Sequence, residues 1–282
     1  MSKFTIDPPP LHHALLSYPS PHILLVTLTR PRSLNCINAQ GHAELHAVWE
    51  WMDNEPSLRV GVLTGQGRAF CAGADLKEWN DRSSSNAATP MPASGFGGLA
   101  RRKGRKPVIC AVNGLCLGGG AEMIINSDLV VAASRAVFGL PEVKRGVVAL
   151  AGALPRLVRT VGKQRAMEMV LTGRMVEAVE AERWGLVNEV VEGGDAEGDE
   201  VVGEKVVRRA VEIAGEIAGN SPDAVLVSRE GVKLGWEGIG ADEATGMLNE
   251  TWVKRLYEGE NIKEGLRAFV EKRKPVWVDS KL

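Results

Sequence analysis

Three short segments carry residue types, in order, that suit chemistry on an anion or on a carbonyl oxygen that becomes one. Gly118-Gly119-Gly120 ends a strand-like run and opens a helix, with Glu122 in its first turn. The first N–H groups of a helix have no intrahelical partner and carry partial positive charge. Such a start holds a phosphate or a developing oxyanion. The three glycines lack both the GxGxxG spacing and the lysine of a phosphate loop, so nucleotide phosphate is the poorer match. Upstream, Gly67 to Glu78 is dominated by small residues where the chain leaves a strand, which lets main-chain N–H groups approach a ligand closely. Downstream, Phe138-Gly139-Leu140-Pro141-Glu142 sets a glutamate on rigid backbone, because the proline holds Leu140 extended. Taken singly, each segment also fits something plainer: a strand-to-helix turn, close helix–sheet packing, or a solvated surface glutamate.

The elements that position these segments follow from periodicity. Apolar runs at His22 to Thr29, Val60 to Thr64, Pro107 to Val112, Leu129 to Ala133, Ala136 to Phe138 and Leu186 to Val191 read as strands. Ala39 to Met52 reads as a helix with Leu45, Val48 and Trp49 on one face. One helix is expected from about Gly152 to Leu171 and another from Val176 to Trp184. Asn220-Ser221-Pro222 opens a helix by cap and proline logic. Residues 80–98 are rich in Ser, Ala, Pro and Gly and read as a lid-like loop. The Gly/Asp/Glu-rich stretch Glu192 to Glu200 marks a boundary, giving a core over 1–200 and a helical region over 201–282. Alternating strands and helices followed by helices alone imply an α/β core with an α-helical C-terminal region.

Composition narrows the classes. The chain has 282 residues, 44% hydrophobic and 24% charged, with a net charge of −1, so no global field points to nucleic acid. No apolar run approaches the roughly 20 residues of a membrane helix, and the polar, proline-bearing start does not resemble a secretory signal. Cys36, Cys71, Cys110 and Cys116 form no CxxC pair and read as small buried hydrophobes. His12 and His13 are placed in an irregular N-terminal arm. His42 and His46, four apart without a third ligand, read as a solvated helix face, so no metal site is expected. The basic run Arg101 to Lys106 has no interleaved aromatics and reads as a solvated helix end or a rim for phosphates, not an RNA surface. Ser280-Lys281-Leu282 is the tripeptide read by the peroxisomal import receptor, and Lys274-Pro275 is expected to end the last helix and leave that tail accessible.

Together, Ala69 to Glu78, Asn113 to Glu122 and Phe138 to Glu142 resemble, in order and separation, the motifs of the crotonase (enoyl-CoA hydratase/isomerase) family. The likeness extends to Arg30 to Asn35, Leu171 to Gly173, Ala181 to Asn188, and Glu264 to Trp277. It implies a crotonase-like spiral of ββα units with an α-helical C-terminal trimerisation region. It also implies an acyl-CoA thioester substrate whose coenzyme is part of the substrate, with no further cofactor. By the same resemblance, the N–H groups of Ala74 and Gly119 grip the thioester oxygen. Glu122 activates water and Glu142 delivers a proton. Arg32, Leu34, Ala72, Asp75, Leu76 and Lys77 contact the coenzyme, and Phe269 and Lys272 reach the coenzyme of a neighbouring subunit in a homotrimer or hexamer. Keeping both glutamates favours an enoyl-CoA hydratase, serving peroxisomal β-oxidation or a pathway that borrows it, over an isomerase, decarboxylase, dehalogenase or thioesterase; an isomerase or a hydroxyacyl-CoA dehydratase on the same scaffold is the alternative, since the pair does not exclude either, and an RNA-binding or non-catalytic role is the remote reading. The family often has a glycine-rich stretch where this chain has Ala149 to Ala153. Leu150 is therefore expected to shape the pocket for a specialised acyl group, together with Trp79 near the acyl end.

Overall fold

The computed structural model describes residues 4–78, 91–193 and 199–282. Among the described residues, ten strands form two sheets. The larger has the order β1 (Ala14–Ser17), β2 (Ile23–Leu28), β3 (Val60–Gly65), β5 (Val108–Val112), β7 (Leu129–Ala133), β10 (Glu189–Val191). Only the β1–β2 pair in it is antiparallel. Its central strands β3 and β5 are buried along their whole length, as expected of parallel strands covered on both faces. The smaller sheet has the order β4 (Ala69–Cys71), β6 (Leu115–Leu117), β8 (Val137–Gly139), β9 (Val176–Glu177). The chain passes from β3 to β4, from β5 to β6 and from β7 to β8, each time leaving the large sheet for the small one before a helix or turn. That repeated step is the expected spiral.

Helix α1 (Ala39–Asn54) starts where Asn38 Oδ1 accepts a hydrogen bond from the Gly41 amide at 2.9 Å. It buries Leu45, Val48, Trp49 and Met52 against the large sheet. The approach is close: a Cβ on Gly61 of β3 would lie 2.7 Å from Met52 Sδ. Helix α2 (Gly119–Ile125) is buried throughout. The single helix expected from Gly152 to Leu171 is two, α3 (Ala153–Val161) and α4 (Lys163–Thr172). Gly162 separates them with φ +83° and ψ 161°, a conformation outside the helical region. The helix expected from Val176 is strand β9 followed by α5 (Ala178–Arg183). After residue 198 the chain is helical, as expected, through α6 (Asp199–Ala218), α7 (Pro222–Trp236), α8 (Ala241–Leu248), α9 (Lys254–Glu258) and α10 (Glu260–Glu271). Val206, Ala210 and Ala214 of α6 join the sheet core, whereas Leu226 and Val227 of α7 seed a separate cluster. Ser221 caps α7, accepting from the Ala224 amide, with Pro222 at its first position.

Two surface expectations are corrected. The C-terminal tail is docked, not free. Leu282 is 8% exposed in the cluster with Leu226 and Val227, its carbonyl accepts from Arg105, and the tail's Val278 exchanges two hydrogen bonds with the Asn261 side chain. His12 and His13 lie in irregular chain before β1, as expected, and their amides donate to Glu44 of α1 at 3.1 and 3.0 Å. The basic run is largely structural. Arg102 and Lys106 are buried, Arg102 pairs with Asp53 at 2.6 Å, and Lys106 Nζ donates to the carbonyls of Met52 and Glu55 at the end of α1. Asp53 also accepts from the amides of Arg105 and Lys106. Removing that carboxylate strands a buried guanidinium and two amides. Asp53→Ala is therefore expected to lower unfolding free energy by about 3–5 kcal/mol, measured by denaturant titration; a change below about 1 kcal/mol would show that this cluster does not anchor α1.

Candidate active site

The small sheet and α2 bring the three motif segments to one place. Asn35 Nδ2 donates to the carbonyls of Gln66 and Ala69, and Asn113 Nδ2 donates to that of Gly67, so two buried amides fix the turn into β4. Beyond β4 the chain is pinned again: Ile37 donates to Gly73, and Asp75 donates back to Ile37. This leaves the Ala74 amide between them without an acceptor among the described residues. The Gly119 amide, at the start of α2, is likewise uncommitted. The two segments touch, since a Cβ on Gly73 would lie 3.4 Å from Gly119 N. Both residues line a cavity of about 710 Å³ that also contains Glu122 and Glu142.

The carboxylates are held very differently from Asp53. Glu122 is 4% exposed, and its Oε1 accepts from the Ala153 amide at 3.3 Å. Burial pushes its pKa up to about 7, against the Ala153 amide and reinforced by the charge of Glu142. Burial raises Glu142 as well, and its Oε2 is enclosed without a hydrogen-bond partner among the described residues. Glu142 Oε1 faces Gly118, 3.2 Å from where a Cβ would stand. Two under-solvated acids beside two free amides can hold a proton near neutral pH while stabilising negative charge on an oxygen between the amides.

Gly119 is fixed from behind by an element that the sequence reading treated as part of a lid. Phe96 to Gly98 form a buried turn. Trp49 Nε1 donates to the Gly97 carbonyl at 3.0 Å, the Gly97 amide donates to His42 Nδ1 at 3.0 Å, and Ser94 bonds His46 at 2.9 Å. The Phe96 ring then lies so close to Gly119 that a Cβ there would sit 2.4 Å from ring carbons. His42 and His46 are thus not a solvated face; His42 is 9% exposed and lines the cavity. The available signal was spacing: His42, Leu45 and Trp49 recur on the core-facing side of α1.

Of the residues singled out in the sequence, Ala72, Ala74, Asp75, Leu76, Gly119, Glu122, Glu142 and Leu150 line this one cavity. Leu150 lines the cavity but is 80% exposed, so it stands at its mouth. Arg32, on the exposed turn Pro31–Ser33, does not line it, and neither do Leu34 and Lys77. The amides of Ala72 and Asp75 are already bonded to the carbonyls of Leu34 and Ile37. Phe269, 84% exposed, and Lys272 also stand outside the cavity. Trp79 falls outside the described residues.

Residues 20–280 match the family model described as enoyl-CoA hydratase/isomerase. The chain belongs to that family. The mevalonyl-coenzyme A hydratase of Beauveria bassiana is 54% identical, with 99% of each chain covered. That of Aspergillus fumigatus is 52% identical over 97% of this chain and 98% of its own. The crystal structure of an enoyl-CoA hydratase from Mycobacterium tuberculosis superposes with a TM-score of 0.84 at 32% identity, covering 97% of this chain and all of the other.

Two predictions follow from this geometry. Gly119→Ala cannot keep both the Phe96 contact and the amide position, so kcat should fall about 100- to 1,000-fold, read by steady-state turnover; unchanged kcat would remove Gly119 from the oxyanion site. The pKa of Glu122 is raised from 4.5 in the folded state, so folding takes up a proton and stability drains away as pH rises from about 4.5 to about 7. Glu122→Gln removes that loss and should be more stable than the parent by about 3 kcal/mol at pH 8, with little difference at pH 4.5. Melting curves at both pH values check it, and a pH-independent offset would contradict the buried-acid assignment.

Proposed function

We propose that this hydratase-family enzyme interconverts a 3-methyl-branched, 5-hydroxylated 2-enoyl-CoA with its water adduct, the mevalonyl thioester. The observation that carries the reaction type is the pair Glu122 and Glu142, buried with raised pKa values beside the unpaired amides of Ala74 and Gly119. Support for the acyl group comes from the two relatives named mevalonyl-coenzyme A hydratases, matched nearly end to end. In the hydration direction, Glu122 takes a proton from water while the water oxygen bonds to C3. The C2–C3 π electrons move onto C2 and the thioester oxygen, where the two amides stabilise the enolate. Collapse of the enolate takes a proton at C2 from Glu142. Dehydration is the same path reversed, with the C3 hydroxyl leaving as water. The coenzyme is part of the substrate, so the step requires no further cofactor.

Assembly and destination are part of the same reading. The exposed apolar residues Leu266, Phe269 and Val270 on α10 suit an interface between copies, in a homotrimer or hexamer. Ser280-Lys281-Leu282 suits the peroxisomal import receptor, provided that the tail leaves its seat on α7 before the receptor reads it.

The test is turnover of a panel of 2-enoyl-CoA thioesters, followed by loss of the conjugated-thioester absorbance and product analysis, beside Glu122→Gln and Glu142→Gln. Each substitution should cost at least about 100-fold in kcat, with the branched hydroxylated thioester the best substrate. Retained turnover in either variant would refute the two-carboxylate step, and equal turnover across the panel would refute the acyl assignment.

A further inference from the structure

His42 is the one buried imidazole on the cavity wall, and the reaction steps above do not use it. Its ring stands edge-on to Phe96, with centroids 4.5 Å apart at 79°. Phe96 in turn lies against Gly119. The imidazole is therefore one aromatic ring beyond the amide that grips the thioester oxygen, on the same cavity as Glu122.

Its tautomer is dictated by the fold. The Gly97 amide donates to Nδ1 at 3.0 Å, so Nδ1 is the acceptor and the ring proton is on Nε2. Burial lowers the pKa to about 4, partly offset by the charge of Glu78, so the ring stays neutral under working conditions. Nε2 makes no hydrogen bond among the described residues. A buried N–H facing an apolar acyl chain would lose its water without replacement, whereas a hydroxyl oxygen at that point would accept from it.

We propose that His42 is a specificity residue: its Nε2–H donates a hydrogen bond to the hydroxyl oxygen at the far end of the acyl chain. The inference rests on the functional reading above and extends it, since it names the group that tells a hydroxylated acyl chain from a plain one. Glu122 and Glu142 act at C2 and C3 of either chain; His42 acts only where the distal hydroxyl is present.

The experiment compares kcat/KM for 5-hydroxy-3-methylpent-2-enoyl-CoA and for 3-methylpent-2-enoyl-CoA, which lacks only that hydroxyl. Wild type is set beside His42→Leu, which has neither acceptor nor donor, and His42→Gln, whose amide can accept from Gly97 and still donate. Wild type should prefer the hydroxylated substrate by about 10- to 100-fold. His42→Leu should erase the preference, and His42→Gln should restore most of it. Loosening of the Gly97 turn lowers both substrates together and leaves their ratio intact, so the ratio separates recognition from support. An unchanged ratio in His42→Leu, or no preference in wild type, would overturn the assignment while leaving the hydratase reading standing. Turnover of neither substrate by wild type would overturn both.

Discussion

Two main-chain N–H groups, those of Ala74 and Gly119, line a cavity without acceptors among the described residues, and much of the fold is arranged to keep them so. A buried amide with no partner costs free energy comparable to a lost hydrogen bond, and a chain free to relax would turn it toward a carbonyl. Relaxation is blocked on every side. Ile37 clamps the residues before and after Ala74. Asn35 and Asn113 tie down the turn into β4. The Phe96 ring backs Gly119, and α1 holds Phe96 through Trp49, His42 and His46. Helix α1 is itself anchored at its far end by Asp53, Arg102 and Lys106. Support thus runs continuously from a buried ion pair to an uncommitted amide on the cavity wall.

The molecule treats its buried acids in opposite ways. Asp53 is given a guanidinium and two amides, which makes it a fastener. Glu122 has the Ala153 amide and a neighbouring acid, and Glu142 keeps one oxygen without a donor among the described residues. A fully satisfied carboxylate has a low pKa and no use for a proton; an under-satisfied one stays close to neutrality and passes protons on. The second arrangement is less stable, so it belongs where proton transfer is required.

Much of this was legible in the sequence where the signal is local. The strands β2, β3, β5 and β7 are apolar runs bounded by turns, and the glycines before α2 mark its start. The motif residues Ala74, Gly119, Glu122 and Glu142 do converge. Strands β4 and β6 escaped because three residues show no periodicity and their pairing partners are distant in the chain. The break at Gly162 escaped because one glycine is tolerated within many helical patterns. The basic run looked solvated because its acceptors, Asp53 and the carbonyls ending α1, lie about fifty residues away. The docked tail depends on an apolar seat that no window around residue 282 contains.

The misreading of His42 follows from the same limit and has a chemical consequence. A histidine four residues from another on a helix is ordinarily a solvated pair, but α1 turns this face toward the Phe96 turn and the cavity. Burial alone would favour leucine or isoleucine there, since either would fill the space without a ring N–H to satisfy. One imidazole nitrogen supports Gly97, and hence Phe96 and Gly119; the other, under the proposal above, is left to recognise the acyl chain. A side chain with two unlike polar ends can couple the scaffold of the oxyanion site to recognition of the acyl chain. An aliphatic residue could do neither, and a carboxylate could accept from Gly97 only by adding negative charge to a cavity already lined by Glu78, Glu122 and Glu142.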